Sequence, residues 1–97
     1  MKPSSWELPA CDLSAVIDFV GGRPFVVDSR KVTAGDVFFA FQGEYSDGRR
    51  YIADAIANGA VAVLWEEDDF TWNPEWQVEQ LAVPALRYQA GIIACAL

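Results

Sequence analysis

The feature that most constrains this chain is a pair of apolar runs without alternation, Val37-Phe38-Phe39-Ala40-Phe41 and Ala60-Val61-Ala62-Val63-Leu64-Trp65. A strand that is apolar at every position buries both faces and needs cover on each side. That requirement favours an α/β sandwich over an open antiparallel sheet. The stretch between the runs supplies a helix. From Ser46 or Asp47 to Asn58 it carries Tyr51, Ile52, Ala55 and Ile56 on one face, with Asp54 and Asn58 off it. Gly59 follows where a helix-ending glycine belongs. Strand, helix and strand then form a βαβ unit with a right-handed crossover and parallel strands.

The flanking segments extend this unit. Asp12 is placed to cap a short helix whose Leu13, Val16, Ile17 and Val20 share a face, and Gly21-Gly22 ends it. Pro24 leads into Phe25-Val26-Val27, which reads as a buried strand, and Thr33-Ala34-Gly35-Asp36 reads as a turn before the next one. Glu66-Glu67-Asp68-Asp69 and the residues to Trp76 read as a solvated loop, with Trp72 or Trp76 folded back on the body. Val83-Pro84-Ala85-Leu86 suggests a short edge strand, because Pro84 cannot donate to a ladder. Gln89 to Leu97 resembles the opening of a helix that stops early, with Ile92, Ile93 and Leu97 still seeking a partner. The expected fold is α/β, a small mixed and mostly parallel sheet flanked by helices, in a single domain spanning residues 1–97.

Composition excludes several classes of function. The net charge of −7 lacks the clustered Lys and Arg that phosphate backbones demand, so a nucleic-acid partner is not expected. Cys11 and Cys95 have no metal-type spacing and histidine is absent, so no metal site is expected and the thiols read as reduced. No apolar run approaches the ~20 residues of a membrane span, and no signal-peptide core follows Met1. The expectation is a soluble, cytoplasmic protein.

Two polar segments lie beside the apolar strand ends. Gly43 to Gly48 leads into a helix start, where free backbone N–H groups and the helix dipole suit a phosphate or diphosphate, with Arg49 and Arg50 adding charge. The alternative at the same residues is local: Asp47 caps the helix and the arginines pair with surface acids. Asp28-Ser29-Arg30 is equally open to a role in closing the strand. Together the two segments could form a pocket at the strand ends, the usual ligand position in an α/β sheet. A catalytic engine is not apparent: no G-x-x-x-x-G-K-[ST] loop occurs, and the lysines are Lys2 and Lys31.

In these blocks, Asp28-Ser29-Arg30, Gly35-Asp36-Val37-Phe38, Gly43, Asp47-Gly48-Arg49 and Ala55 to Leu64, the sequence resembles the amino-terminal domain of Mur ligases of the MurE type. That resemblance implies binding of the UDP end of UDP-N-acetylmuramoyl-L-alanyl-D-glutamate by one part of a longer ATP-dependent ligase. The third peptide residue it adds is expected to be meso-diaminopimelate. Carried onto this chain, the UDP-sugar contacts fall on Val27, Ser29, Glu44, Tyr45 and Ser46, with Gly43, Asp47, Gly48 and Arg49 supporting a diphosphate. Many relatives of this type carry a histidine where Glu44 stands, and a carboxylate there would repel a diphosphate unless turned away or paired. MurF-type ligases, which add D-alanyl-D-alanine, share several of the blocks and often read Gly-Glu at this point. Asp47-Gly48-Arg49-Arg50-Tyr51-Ile52 favours the MurE type.

The expected partners are the UDP-N-acetylmuramoyl-peptide and the remaining domains of the ligase. No cofactor is expected in this stretch, whereas ATP and Mg2+ belong to the full-length enzyme. A monomer is expected, with some self-association through the apolar carboxy-terminal residues. Two competing readings are a protein-interaction domain on the same scaffold and a small autonomous enzyme.

Overall fold

The computed structural model describes residues 13–43, 46–88 and 93. Four strands, β1 (Phe25–Val26), β2 (Val37–Ala40), β3 (Ala62–Glu66) and β4 (Glu79–Val83), lie side by side in chain order. All three pairings are parallel, so the α/β sheet is parallel throughout the described residues. The register runs from Val37↔Ala62 to Ala40↔Trp65 and from Ala62↔Glu79 to Glu66↔Val83.

The non-alternating runs do what their composition demands, since every residue of β2 and β3 is buried. Val37, Phe39, Ala62 and Leu64 face one layer, where α1 (Leu13–Val20) contributes Val16 and Val20, joined by Leu86 and the helical Ile93. Phe38, Ala40, Val63 and Trp65 face the other, against Ile52 and Ala55 of α2 (Ile52–Ala57) and Val32. Phe70, Trp72 and Trp76 pack on the same side, so both tryptophans of the β3–β4 connection fold back on the body. Each buried large apolar side chain contributes ~1.5–3 kcal/mol, and both layers draw on the same two central strands.

Helix ends are set by local chemistry. Gly21 and Gly22 take positive φ after α1, and Arg23 donates to the carbonyls of Phe19 and Val20 there. Gly59 has φ 114°, and a Cβ at that position would lie 2.7 Å from the Ala34 Cα. The end of α2 can therefore press on the Thr33–Asp36 turn only through a glycine, a contact fixed by Gly35 N–H donating to the Gly59 carbonyl at 3.1 Å.

Five expectations need correction. Ile17 is exposed, because α1 buries a narrower face than its spacing suggested. The first strand stops at Val26, and Val27 is 57% exposed. The second helix begins as a 3-10 turn, Gly48–Tyr51, which rotates Tyr51 off the buried face. The last strand is Glu79–Val83 and not Val83–Leu86: Pro84 and Ala85 form a turn, with Ala85 at φ 52°. Glu66 is no loop acid, since it ends β3 at 0% exposure. The Asp12 cap and, Ile93 apart, the Gln89–Leu97 segment lie outside the described residues.

Candidate functional site

Because β1 and β2 are parallel neighbours, the loops that leave their C-terminal ends emerge side by side. The first is a 3-10 turn, Ser29–Lys31, capped by Asp28, whose Oδ1 accepts from Arg30 N–H at 3.0 Å. The Arg30 guanidinium returns to the same carboxylate through Nε at 3.1 Å and Nη2 at 2.9 Å. These side-chain bonds from Arg30 pull the Asp28 carboxyl from its ordinary 3.8 to about 2. Ser29 is buried, and its carbonyl accepts from Asn58 Nδ2 at 3.0 Å, which ties the turn to the end of α2.

The second loop is closed on itself. Gly43 N–H donates to the Ser46 carbonyl at 2.8 Å, Gly48 N–H donates to the Phe41 carbonyl at 2.9 Å, and Gln42 bridges to Asp47. A Cβ at Gly48 would meet the Phe41 carbonyl oxygen at 3.2 Å, so this reversal has little room for a side chain. Asp47 then caps the 3-10 turn by accepting from Arg49 N–H at 3.0 Å.

Between the two loops lies a cleft of about 570 Å³. Val27, Asp28, Ser29 and Arg30 line it from the first loop, Ser46 and Gly48 from the second, and Tyr51 and Asp54 from the helical segment that follows. Of the residues expected at a site, Val27, Ser29, Ser46 and Gly48 are thus brought together. Gly43 and Asp47 shape the loop behind them, while Glu44 and Tyr45 lie outside the described residues.

Among the described residues, three N–H groups at the start of the helical segment are already engaged. Gly48 N–H is taken by Phe41, Arg49 N–H by the Asp47 side chain and Arg50 N–H by the Asp47 carbonyl, so these groups are engaged internally. Arg49 does not line the cleft. Its side chain is 4% exposed, held by Asp47 at 2.8–3.1 Å, by the Glu66 carbonyl at 3.0 Å and by the Asp68 carbonyl, with its guanidinium 5.0 Å from the Phe70 ring centre. The side-chain bonds from Arg49 hold the Asp47 carboxyl below the ordinary carboxylate range.

The cleft walls hold four side chains that the expected site set omitted, Asp28, Arg30, Tyr51 and Asp54. Two carboxylates and one guanidinium leave a slightly acidic cleft, rich in acceptors for N–H and O–H donors. Helix periodicity gave no signal for the pairing of Tyr51 with Asp54, because it placed Tyr51 on the apolar face; the 3-10 turn that rotates Tyr51 outward puts both on the cleft wall.

Residues 25–96 match the family model described as Mur ligase family, catalytic domain. A UDP-N-acetylmuramoyl-L-alanyl-D-glutamate--2,6-diaminopimelate ligase of Chromobacterium violaceum is 59% identical over 68 residues, covering 69% of this chain and 14% of that protein. The ligase of the same name from Neisseria meningitidis serogroup A is 50% identical over 74 residues, or 75% of this chain and 15% of that protein. The chain therefore spans only a small part of the length of these curated relatives. Among solved structures, a MurF ligase from Thermotoga maritima in complex with ADP superposes with a TM-score of 0.57 and 28% identity, over 88% of this chain and 17% of that one. A MurF from Acinetobacter baumannii reaches 0.59 at 22% identity over 89% and 20%, a likeness of fold alone.

Proposed function

The chain belongs to the Mur ligase family, and from that premise we propose that it forms the nucleotide-sugar-binding part of a longer ATP-dependent ligase. Its ligand on this reading is the UDP end of UDP-N-acetylmuramoyl-L-alanyl-D-glutamate, and the residue the whole enzyme adds is 2,6-diaminopimelate. The observation that carries the proposal is the meeting of the two motif loops in one cleft, with Val27 and Ser29 on one wall and Ser46 and Gly48 on the other. The relatives at 50% and 59% identity, both named as diaminopimelate-adding ligases, favour that amino acid over the D-alanyl-D-alanine of the MurF type.

The chemistry of the walls favours one end of the nucleotide. Asp28 and Asp54 are acceptors for a pyrimidine N–H or ribose hydroxyls, and they would repel a diphosphate placed between them. The Ser29 and Ser46 hydroxyls can serve either role, while the exposed Arg30 is the cation of the cleft wall that can answer a phosphate at the rim. We therefore place the nucleoside in the cleft and the diphosphate towards its mouth.

The sequence lacks a P-loop lysine motif of the kind that holds ATP phosphates. On this proposal other parts of the ligase hold ATP and Mg2+, and this chain alone has no ATPase or ligase activity. Among the described residues no helix is long and apolar enough to cross a membrane. A nucleotide-linked substrate and two cysteines read as reduced thiols favour the cytoplasm.

Titration of the labelled chain with UDP tests the proposal. Binding is expected near millimolar or weaker, roughly −4 kcal/mol, because the ligand would touch only part of its full site. Shifts should concentrate on Val27 to Ser29 and Gly43 to Gly48 and leave Val16 and Val20 still. Shifts scattered over the surface, or none at saturating UDP, would overturn the reading in favour of a protein-interaction domain, and micromolar binding would show the site to be complete in this chain.

A further inference from the structure

Glu66 is a carboxylate at 0% exposure, at the C-terminal end of a central strand, where a charge is costly unless it is fully bonded. Its bonds all reach outside its own strand. Oε1 accepts from Gln42 N–H at 3.0 Å and from Arg87 Nη1 at 3.2 Å, and Oε2 accepts from Arg87 N–H at 3.1 Å. Its carbonyl accepts from Arg49 at 3.0 Å. Arg87 also donates to the Gln42 side chain.

Gln42 and Arg49 flank the closed loop that supplies Ser46 and Gly48 to the cleft. One residue therefore grips the loop at both ends, through its carboxylate on the near side and its carbonyl on the far side. Neither grip touches the cleft, since Glu66, Gln42 and Arg49 are absent from its walls. A single apolar side chain in its place would leave Gln42 N–H, Arg87 N–H and the Arg87 guanidinium without their acceptor. The carboxylate is thus suited to fixing the arrangement of the segments it joins.

We propose that Glu66 is a positioning residue for ligand binding: it holds Gln42 and Arg49 so that Ser46 and Gly48 stand against the nucleotide across from Ser29. This rests on the reading of the cleft as a UDP site. Glu66→Gln keeps the shape but turns one acceptor oxygen into a donor, leaving either Gln42 N–H or Arg87 N–H facing an NH2 group.

The test compares three forms of the full chain by UDP titration, followed by amide shifts: the unaltered protein, Glu66→Gln, and Val16→Ala as a control that loosens the core on the opposite face. Glu66→Gln is expected to weaken UDP binding roughly three- to tenfold, the equilibrium equivalent of one net hydrogen bond. Gln42, Gly43 and Gly48 amides should shift before any ligand is added. Val16→Ala should lower the melting temperature and leave the UDP affinity within about twofold, since distant sites act independently. If the unaltered chain responds to UDP and Glu66→Gln responds equally, the positioning role is wrong and the cleft reading survives; if the unaltered chain does not respond, both fall. Hydrogen exchange on the unaltered chain adds a measurement that needs no variant. Gln42 N–H should exchange as slowly as the amides of β2, and exchange at the rate of an open loop would overturn the proposal even if Glu66→Gln fails to fold.

Discussion

Two turns in this molecule are built from the same three-residue device, Asp28-Ser29-Arg30 and Asp47-Gly48-Arg49. In each, the aspartate caps a 3-10 turn by accepting from the N–H two residues on, and the arginine folds back onto the same carboxylate. Their surroundings differ. The Arg30 side chain is 88% exposed and bonds to Asp28, whereas the Arg49 side chain is buried under Phe70 and also serves the carbonyls of Glu66 and Asp68. The same local chemistry yields a cleft wall in one place and an internal brace in the other. What a motif does is therefore decided by what the rest of the chain lays over it.

Arginine replacement should break the resemblance most sharply. Arg49→Ala strands the buried Glu66 carbonyl, the part-buried Asp68 carbonyl and the Asp47 carboxylate, and it should cost about 3 kcal/mol in urea unfolding. Arg30→Ala, at a solvated pair, should leave the urea midpoint where it is and show instead in the UDP titration. Equal midpoints for the two variants would mean that Arg49 is not the brace described.

The aspartates should show a smaller contrast in the same direction. Asp47→Ala removes a helix cap together with the partner of a buried guanidinium, for about 1–2 kcal/mol. Asp28→Ala should move the midpoint less. A reversed order would show that the first turn, and not the second, secures the sheet edge.

The smallest effect is electrostatic. Both carboxyls titrate below the ordinary 3.8, Asp28 at about 2, so each contribution to stability is complete above 3.8 and is lost as pH falls through the lowered value. Carboxyl shifts followed by NMR should give an Asp28 midpoint near 2 that moves back towards 3.8 in Arg30→Ala, with Asp47 unmoved. An Asp28 midpoint of 3.8 in the unaltered chain would remove the pairing from the first turn.

The elements legible in the sequence were those with redundant signals. β2 and β3 announce themselves by unbroken apolar runs, and the end of α2 by Gly59, so the parallel pair and its crossover helix follow from pattern alone. β4 was displaced because Glu79 and Gln80 are exposed and polar at an edge, and its identity comes from pairing with Ala62 and Val63. In the site, the loops were legible as polar segments at strand ends. The fate of Arg49 was not, because it depends on Glu66 and Asp68, seventeen and nineteen residues away. Glu66 was misread for the matching reason: in a run of four acids, nothing local marks the one that a distant backbone N–H and a distant arginine will cover.

The aromatic side chains of the β3–β4 connection have an optical consequence. Trp65 and Trp72 have ring centres 5.5 Å apart and Trp72 and Trp76 5.1 Å apart, the latter pair nearly perpendicular, with Phe70 6.3 Å from Trp76. Indoles this close share their excited states, so ellipticity from these three tryptophans is a collective signal that changes when any one ring swings away. None of the three lines the cleft. Emission and near-ultraviolet dichroism from this cluster therefore report on the brace side of the molecule, over Phe70 and Arg49, and are nearly blind to a nucleotide entering on the other.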